Sequence, residues 1–143
     1  MKKLFVFIAV FVSSVSFSQR IDIHVTKGFF TETLMNSNTI THSEYKDLNS
    51  FYYLDLNDNI LEYKCPTYNL NLTRKIISKT FKQGIYTITY EDDDLHIPNV
   101  TYISTLKIDT NTNSIVWINP MESDSIILKC FFKEFEMKIK EKS

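Results

Sequence analysis

From Gln19 onward the chain is written in short alternating runs. Ile21, Ile23 and Val25 alternate with Asp22, His24 and Thr26, the period of two that sets one side of a strand against a core and the other in water. A weaker run from about Thr39 to Tyr45 follows the turn-like Asn36-Ser37-Asn38. Three pairs of runs then flank short turn segments, the signature of β-hairpins. In the first, SFYYLDL and ILEYKC surround Asn57-Asp58-Asn59. With those residues as the loop, Tyr53 opposes Tyr63, and Phe51, Tyr53, Leu61, Tyr63 and Cys65 share the buried face. In the second, residues 75–91, the loop Gln83-Gly84 sets Phe81 opposite Tyr86, Lys79 opposite Ile88 and Ile77 opposite Tyr90. In the third, TYISTLKID and SIVWIN are joined by TNTN. Pairing Asp109 with Ser114 places Leu106 opposite Trp117 and turns the single Trp toward the core.

Two stretches carry a competing helical reading. Residues 71–83 offer Asn71 as a cap and Leu72, Ile76 and Phe81 as a stripe, but strict alternation through Ile85–Tyr90 favours a strand. In 125–139, Ile127, Cys130, Phe131 and Phe135 follow a helical stripe, whereas Phe135, Met137 and Ile139 alternate with charged residues. A long, bent strand is the preferred reading. The predicted class is all-β and mainly antiparallel: a meander of eight or nine strands forming a small barrel or two-layer sandwich, with room for one short C-terminal helix.

Residues 1–18 stand apart from this pattern. Lys2 and Lys3 precede an unbroken apolar run, Leu4 to Val12, and Ser16-Phe17-Ser18 supplies small residues at the −3 and −1 positions of a signal-peptidase site. The run is far shorter than the ~20 residues that span a bilayer. The expected organisation is a signal peptide over 1–18 and one β-rich domain over 19–143, secreted or periplasmic, with no stable membrane anchor after cleavage. Without the two leader lysines, 14 basic residues face 17 acidic ones. Such a mild, interspersed charge gives no counterion-driven affinity for nucleic acid.

Export changes what the two cysteines mean. Cys65 and Cys130 are predicted to form a disulfide, closing a loop of ~65 residues and stabilising the fold by about 4 kcal/mol in the chain-entropy account. The alternative is two buried thiols packed as small hydrophobes.

Composition removes several chemistries. With only Gly28 and Gly84 the chain has no glycine-rich phosphate loop and no G-x-S-x-G elbow. Asp55-Leu56-Asn57-Asp58-Asn59 and Asp109-Thr110-Asn111-Thr112-Asn113 open like calcium loops but lack the sixth-position Gly and the twelfth-position Glu, so they read as turns. The run Glu91 to Asp94 makes Asp92, Asp93 and Asp94 weak metal candidates; a solvated acidic loop is the simpler reading. His24, His42 and His96 lack metal-ligand spacing. No cofactor is implied and no catalytic residue stands out. What remains is aromatic richness: the strand from Phe51 to Leu56 is apolar on both faces. The expected function is binding of an apolar small ligand in a barrel or sandwich pocket lined by Tyr52, Tyr53, Tyr63, Tyr86 and Trp117. The alternatives are a protein-binding module of the inhibitor or immunity type, and a small hydrolase using carboxylates or histidine.

Overall fold

The computed structural model describes residues 19–34, 40–45, 49–93, 97–121 and 126–141. The leader, Asp94 and His96 lie outside this set. The strands are β1 (Gln19–Leu34), β2 (Ile40–Tyr45), β3 (Ser50–Asp55), β4 (Ile60–Cys65), β5 (Leu70–Lys82), β6 (Ile85–Asp93), β7 (Thr101–Asp109), β8 (Ser114–Met121) and β9 (Ile126–Glu141). Every paired neighbour is antiparallel, in the order β2-β1-β3-β4-β5-β6-β7-β8-β9, and β1 also pairs with β9. That last pairing closes β1 and β3 to β9 into an eight-stranded barrel, with β2 outside it on the C-terminal half of β1. Closure removes most of the free edges that an open meander would expose.

The C-terminal stretch is strand throughout, so the short helix that the sequence left room for does not form. Its mixed spacing has another cause. Cys130 and Phe132 face inward, then the β1–β9 register slips between Val25 and Gly28, and Phe135 and Met137 pack against the core from the reset phase. A bulge of this kind shifts the inward phase by one residue, which mimics a helical period over one turn. Among the described residues the helical piece is the 3₁₀ turn Pro66–Tyr68.

Turn chemistry sets the hairpin registers. In β3–β4 the loop is Leu56 to Asn59, not Asn57 to Asn59. The Asp55 Oδ1 accepts the backbone N–H of Asn57 at 3.1 Å and of Asp58 at 3.0 Å, and Asn59 takes the left-handed φ of 57°. The pairing is therefore Leu54 with Leu61 and Tyr52 with Tyr63. This one-residue shift corrects the expected face: Leu61, Tyr63 and Cys65 do point inward, but with Tyr52 and Leu54, while Phe51 and Tyr53 point outward. In β5–β6 the turn pairs Phe81 with Tyr86 and Lys79 with Ile88 as expected, with φ of 52° at Gln83 and 80° at Gly84. A bulge at Ile77 then sets Ile76, not Ile77, opposite Tyr90 and leaves Ile77 exposed. The β7–β8 register is as read, with Asp109 on Ser114 and Leu106 on Trp117.

Asp109 repeats the role of Asp55, accepting the N–H of Asn111 at 2.9 Å and of Thr112 at 3.3 Å. Desolvation pushes its carboxyl up, but the bonds from Asn111 and Thr112 outweigh it and hold the folded value below the ordinary one. A depressed folded pKa means stability that is present above the ordinary carboxylate range and lost as pH falls through the folded value. Asp109→Asn should accordingly flatten the acid limb of a stability-versus-pH curve measured by urea unfolding, relative to the wild type.

At the end that carries these turns the barrel is packed solid. Ile21, Ile23, Leu54, Leu56, Leu61, Ile88, Leu106, Ile108 and Ile115 are each no more than 1% exposed. Gln19 closes that end, its backbone oxygen accepting Leu56 N at 3.0 Å and its side chain accepting the Tyr86 hydroxyl at 2.6 Å. The outward faces carry charge, among them Glu62, Lys64, Lys75, Glu91 and Lys107, whereas a membrane barrel presents an apolar belt to lipid. No helix of the described residues is long and apolar enough to cross a membrane.

The predicted disulfide is absent. Cys65 and Cys130 are both buried and carry no disulfide. They stand on β4 and β9, with β1 and β3 between them in the barrel wall, so they are not cross-strand neighbours. Burial pushes the Cys130 thiol up to about 12, which suppresses the thiolate that reacts. Both thiols should resist a thiol-specific reagent in the native protein, and both should titrate in denaturant.

Candidate functional site

Away from the turn end, the inner face changes character. Inward-pointing Tyr52, Tyr63, Leu72 and Trp117 remain partly exposed, although their phase in each strand is that of the fully buried residues. This part of the interior lies toward the end of the barrel opposite the turns, its mouth.

The walls are aromatic. The Tyr52 ring lies 4.9 Å from that of Tyr63 and 5.4 Å from that of Phe132. Trp117 donates its indole N–H to the Tyr90 hydroxyl at 2.7 Å, and the Tyr63 hydroxyl meets Ser50 Oγ at 3.3 Å. Burial pushes the Tyr63 phenol up to about 12, and burial first, then the nearby Asp92 charge, raises Tyr90. Burial likewise holds Tyr52 well above the ordinary value. All three phenols therefore stay neutral at physiological pH.

Beside them Arg74 and Asp92, both on inward-facing phases, form a half-buried ion pair at 3.3 Å. Arg74 also holds Asp93 at 3.1 Å and donates to the Thr73 carbonyl at 3.2 Å. The two aspartates read as weak metal candidates are thus partners of an arginine, and no metal-holding group of His, Cys, Asp or Glu occurs among the described residues.

Two polar side chains complete the site. Ser104 is fully buried and Asn119 is 7% exposed; neither Ser104 Oγ nor Asn119 Oδ1 makes a hydrogen bond of ordinary geometry, although Ser104 stands near enough to the Tyr90 hydroxyl to oppose the rise in its pKa. Ser104 faces Tyr90 across β6–β7. The β7–β8 register, with Thr105 on Ile118, makes Ser104 and Asn119 inner-face neighbours. Leaving a buried polar group unpaired costs about 1–3 kcal/mol, so these atoms are maintained at a penalty to stability.

Of the five residues expected to line a pocket, the structure sets Tyr52 against Tyr63 and bonds Trp117 to Tyr90, all on the inward face. Tyr86 is inward but sits at the turn end, its ring tilted by 31° against that of Phe81 at 4.3 Å and its hydroxyl bonded to Gln19. Tyr53 is outside the barrel, under Arg20 at 5.4 Å and Lys64 at 5.5 Å. Tyr90, Ser104 and Asn119 were not singled out by the sequence. Their signal was there: Ser104 and Asn119 interrupt otherwise apolar alternate positions (Tyr102, Leu106, Ile108; Ile115, Trp117).

The outer face of β3, β1 and β9 holds a second aromatic feature. His24 stacks on Phe51 at 4.2 Å with the rings 3° from parallel, and its Nε2 lies 2.9 Å from Asn49 Oδ1. A shallow groove there is floored by Asp22, His24, Phe51 and Tyr53 and edged by Glu136, Lys138 and Lys140. Asp22 is engaged by Arg20 at 2.8 Å and Lys140 at 3.3 Å.

The fold and site thus define a small closed antiparallel barrel with a packed base and an aromatic mouth. Compared with known protein families, with curated proteins and with solved structures, the chain has no match.

Proposed function

We propose that the protein is an exported, non-enzymatic carrier that takes a small, mainly apolar ligand into the aromatic mouth of its barrel. The observation that supports it most is the pair of buried, unpartnered atoms, Ser104 Oγ and Asn119 Oδ1, set among partly exposed inward-facing rings. Small-molecule sites combine apolar walls with a few convergent polar groups. A binding role is favoured over catalysis because the titratable groups here are tyrosines held neutral and an aspartate committed to arginine.

Trp117 is the single tryptophan and lies in the site, so energy transfer from it tests the reading. Titration with the apolar dye N-phenyl-1-naphthylamine is expected to give saturable transfer with one site per chain. Trp117→Phe should abolish the transfer while leaving the dye's own binding-induced emission. Absence of saturable binding contradicts the carrier reading. The second reading, a protein-binding module, draws on the outward His24–Phe51 stack; it predicts that His24→Ala and Phe51→Ala disturb function while dye binding is unchanged.

A further inference from the structure

Resting on the reading of the mouth as a binding site, we infer that its ligand is an uncharged ring compound bearing a hydroxyl or N–H donor. Three observations converge on this class. The orphaned Asn119 atom is an amide oxygen, which accepts and cannot donate, so its partner must bring a hydrogen. The Ser104 hydroxyl beside it, set opposite Tyr90, can donate or accept, and suits the oxygen or nitrogen that carries that hydrogen. The walls offered by Tyr52, Tyr63 and Trp117 favour a flat or ring-shaped body, which stacks against them, over a flexible chain.

Charge is selected against from both sides. Among the described residues Arg74 is the cation on the inner face beside this cluster, and its nitrogens are engaged by Asp92, Asp93 and the Thr73 carbonyl. A carboxylate or phosphate headgroup would have to break that pair or enter unpaired, and burying an unpaired charge is strongly unfavourable. A cationic ligand would meet an Asp92 carboxylate already neutralised by Arg74. The buried acceptor and hydroxyl match a neutral donor, such as a phenolic or alcoholic group.

The test is a calorimetric titration of one ring system in three forms: 2-naphthol, 2-methoxynaphthalene and 2-naphthoate. They share the ring and differ in donor and charge. The expected result is that 2-naphthol binds at least about tenfold more tightly than the methoxy compound, equivalent to 1.4 kcal/mol, and that the naphthoate is weakest. In Asn119→Leu, and separately in Ser104→Ala, the preference for naphthol over the methoxy compound should fall to within about threefold, with ring binding retained. Equal affinity for all three, tightest binding of the naphthoate, or a preference unchanged in both variants overturns the inferred class while the binding reading stands. Failure of all three compounds overturns the class alone if N-phenyl-1-naphthylamine still binds, and both readings if it does not.

Discussion

Leu106→Ala is expected to remove about 3–5 kcal/mol of stability, the largest single effect on this fold. Leu106 is fully buried in the packed base, paired with Ile88 on β6 and Trp117 on β8. Truncation loses the transfer free energy of the deleted carbons and leaves a cavity that strands hydrogen-bonded on both sides cannot collapse to fill. Against a total of about 5–15 kcal/mol, that approaches the margin for folding. The neighbour Ile103 supplies the contrast. It lies in the outward phase of the same strand and is 48% exposed, so Ile103→Ala should cost less than about 1 kcal/mol. Urea unfolding of both variants, at an unchanged dependence on denaturant, measures the difference. Equal losses would mean that the inward phase of β7 has been assigned to the wrong side.

Gly84→Ala is expected to cost about 2–3 kcal/mol through two separable causes. Gly84 has φ of 80°, which an L side chain adopts at a penalty of about 1–2 kcal/mol. A Cβ there would also lie 2.4 Å from the Asn111 amide nitrogen. That amide donates to Gln83 O at 2.8 Å and ties the β5–β6 turn to the β7–β8 turn, so the methyl must displace it. In an Asn111→Ala background the collision disappears, and the cost of Gly84→Ala should drop to the backbone strain alone. A double-mutant cycle by chemical denaturation reads this as a coupling of about 1 kcal/mol. Strict additivity would show that the Asn111 side chain does not crowd position 84.

Local chemistry made most of the strands legible. Alternation identified β1, the hairpins and the strand character of residues 71–83; the turn at Asp109–Ser114 fixed its register correctly, and that at Gln83-Gly84 did so as far as the bulge at Ile77, where Ile76 took the place expected of Ile77 opposite Tyr90. The first hairpin failed by one residue because apolar side chains occupy both phases of Phe51–Leu56. Nothing in the pattern opposed the wrong register; the Asp55 carboxylate, capping two backbone N–H groups, decided it. Tyr53 left the inner face for that reason alone. Closure through β1–β9 was not legible, since it joins the two ends of the domain and depends on a bulge that resets the phase at Val25–Gly28. The disulfide inference failed for a related reason: parity and compartment say nothing about distance, and barrel order sets Cys65 and Cys130 three strands apart. Within the site, Trp117 could be placed because its hairpin register was right. Ser104 and Asn119 could be recognised as anomalies only once both were known to face inward.

The binding claim rests on which face of the barrel wall takes the ligand, and two ring resonances separate the faces. Trp117 Nε1–H reports from the mouth and the His24 ring from the outer groove. In a proton–nitrogen NMR titration with N-phenyl-1-naphthylamine, the account predicts a saturable shift of the Trp117 indole signal with the His24 ring unmoved. A shift of His24 with an unperturbed Trp117 signal would contradict it, placing the ligand on the outside of a barrel whose interior stays closed.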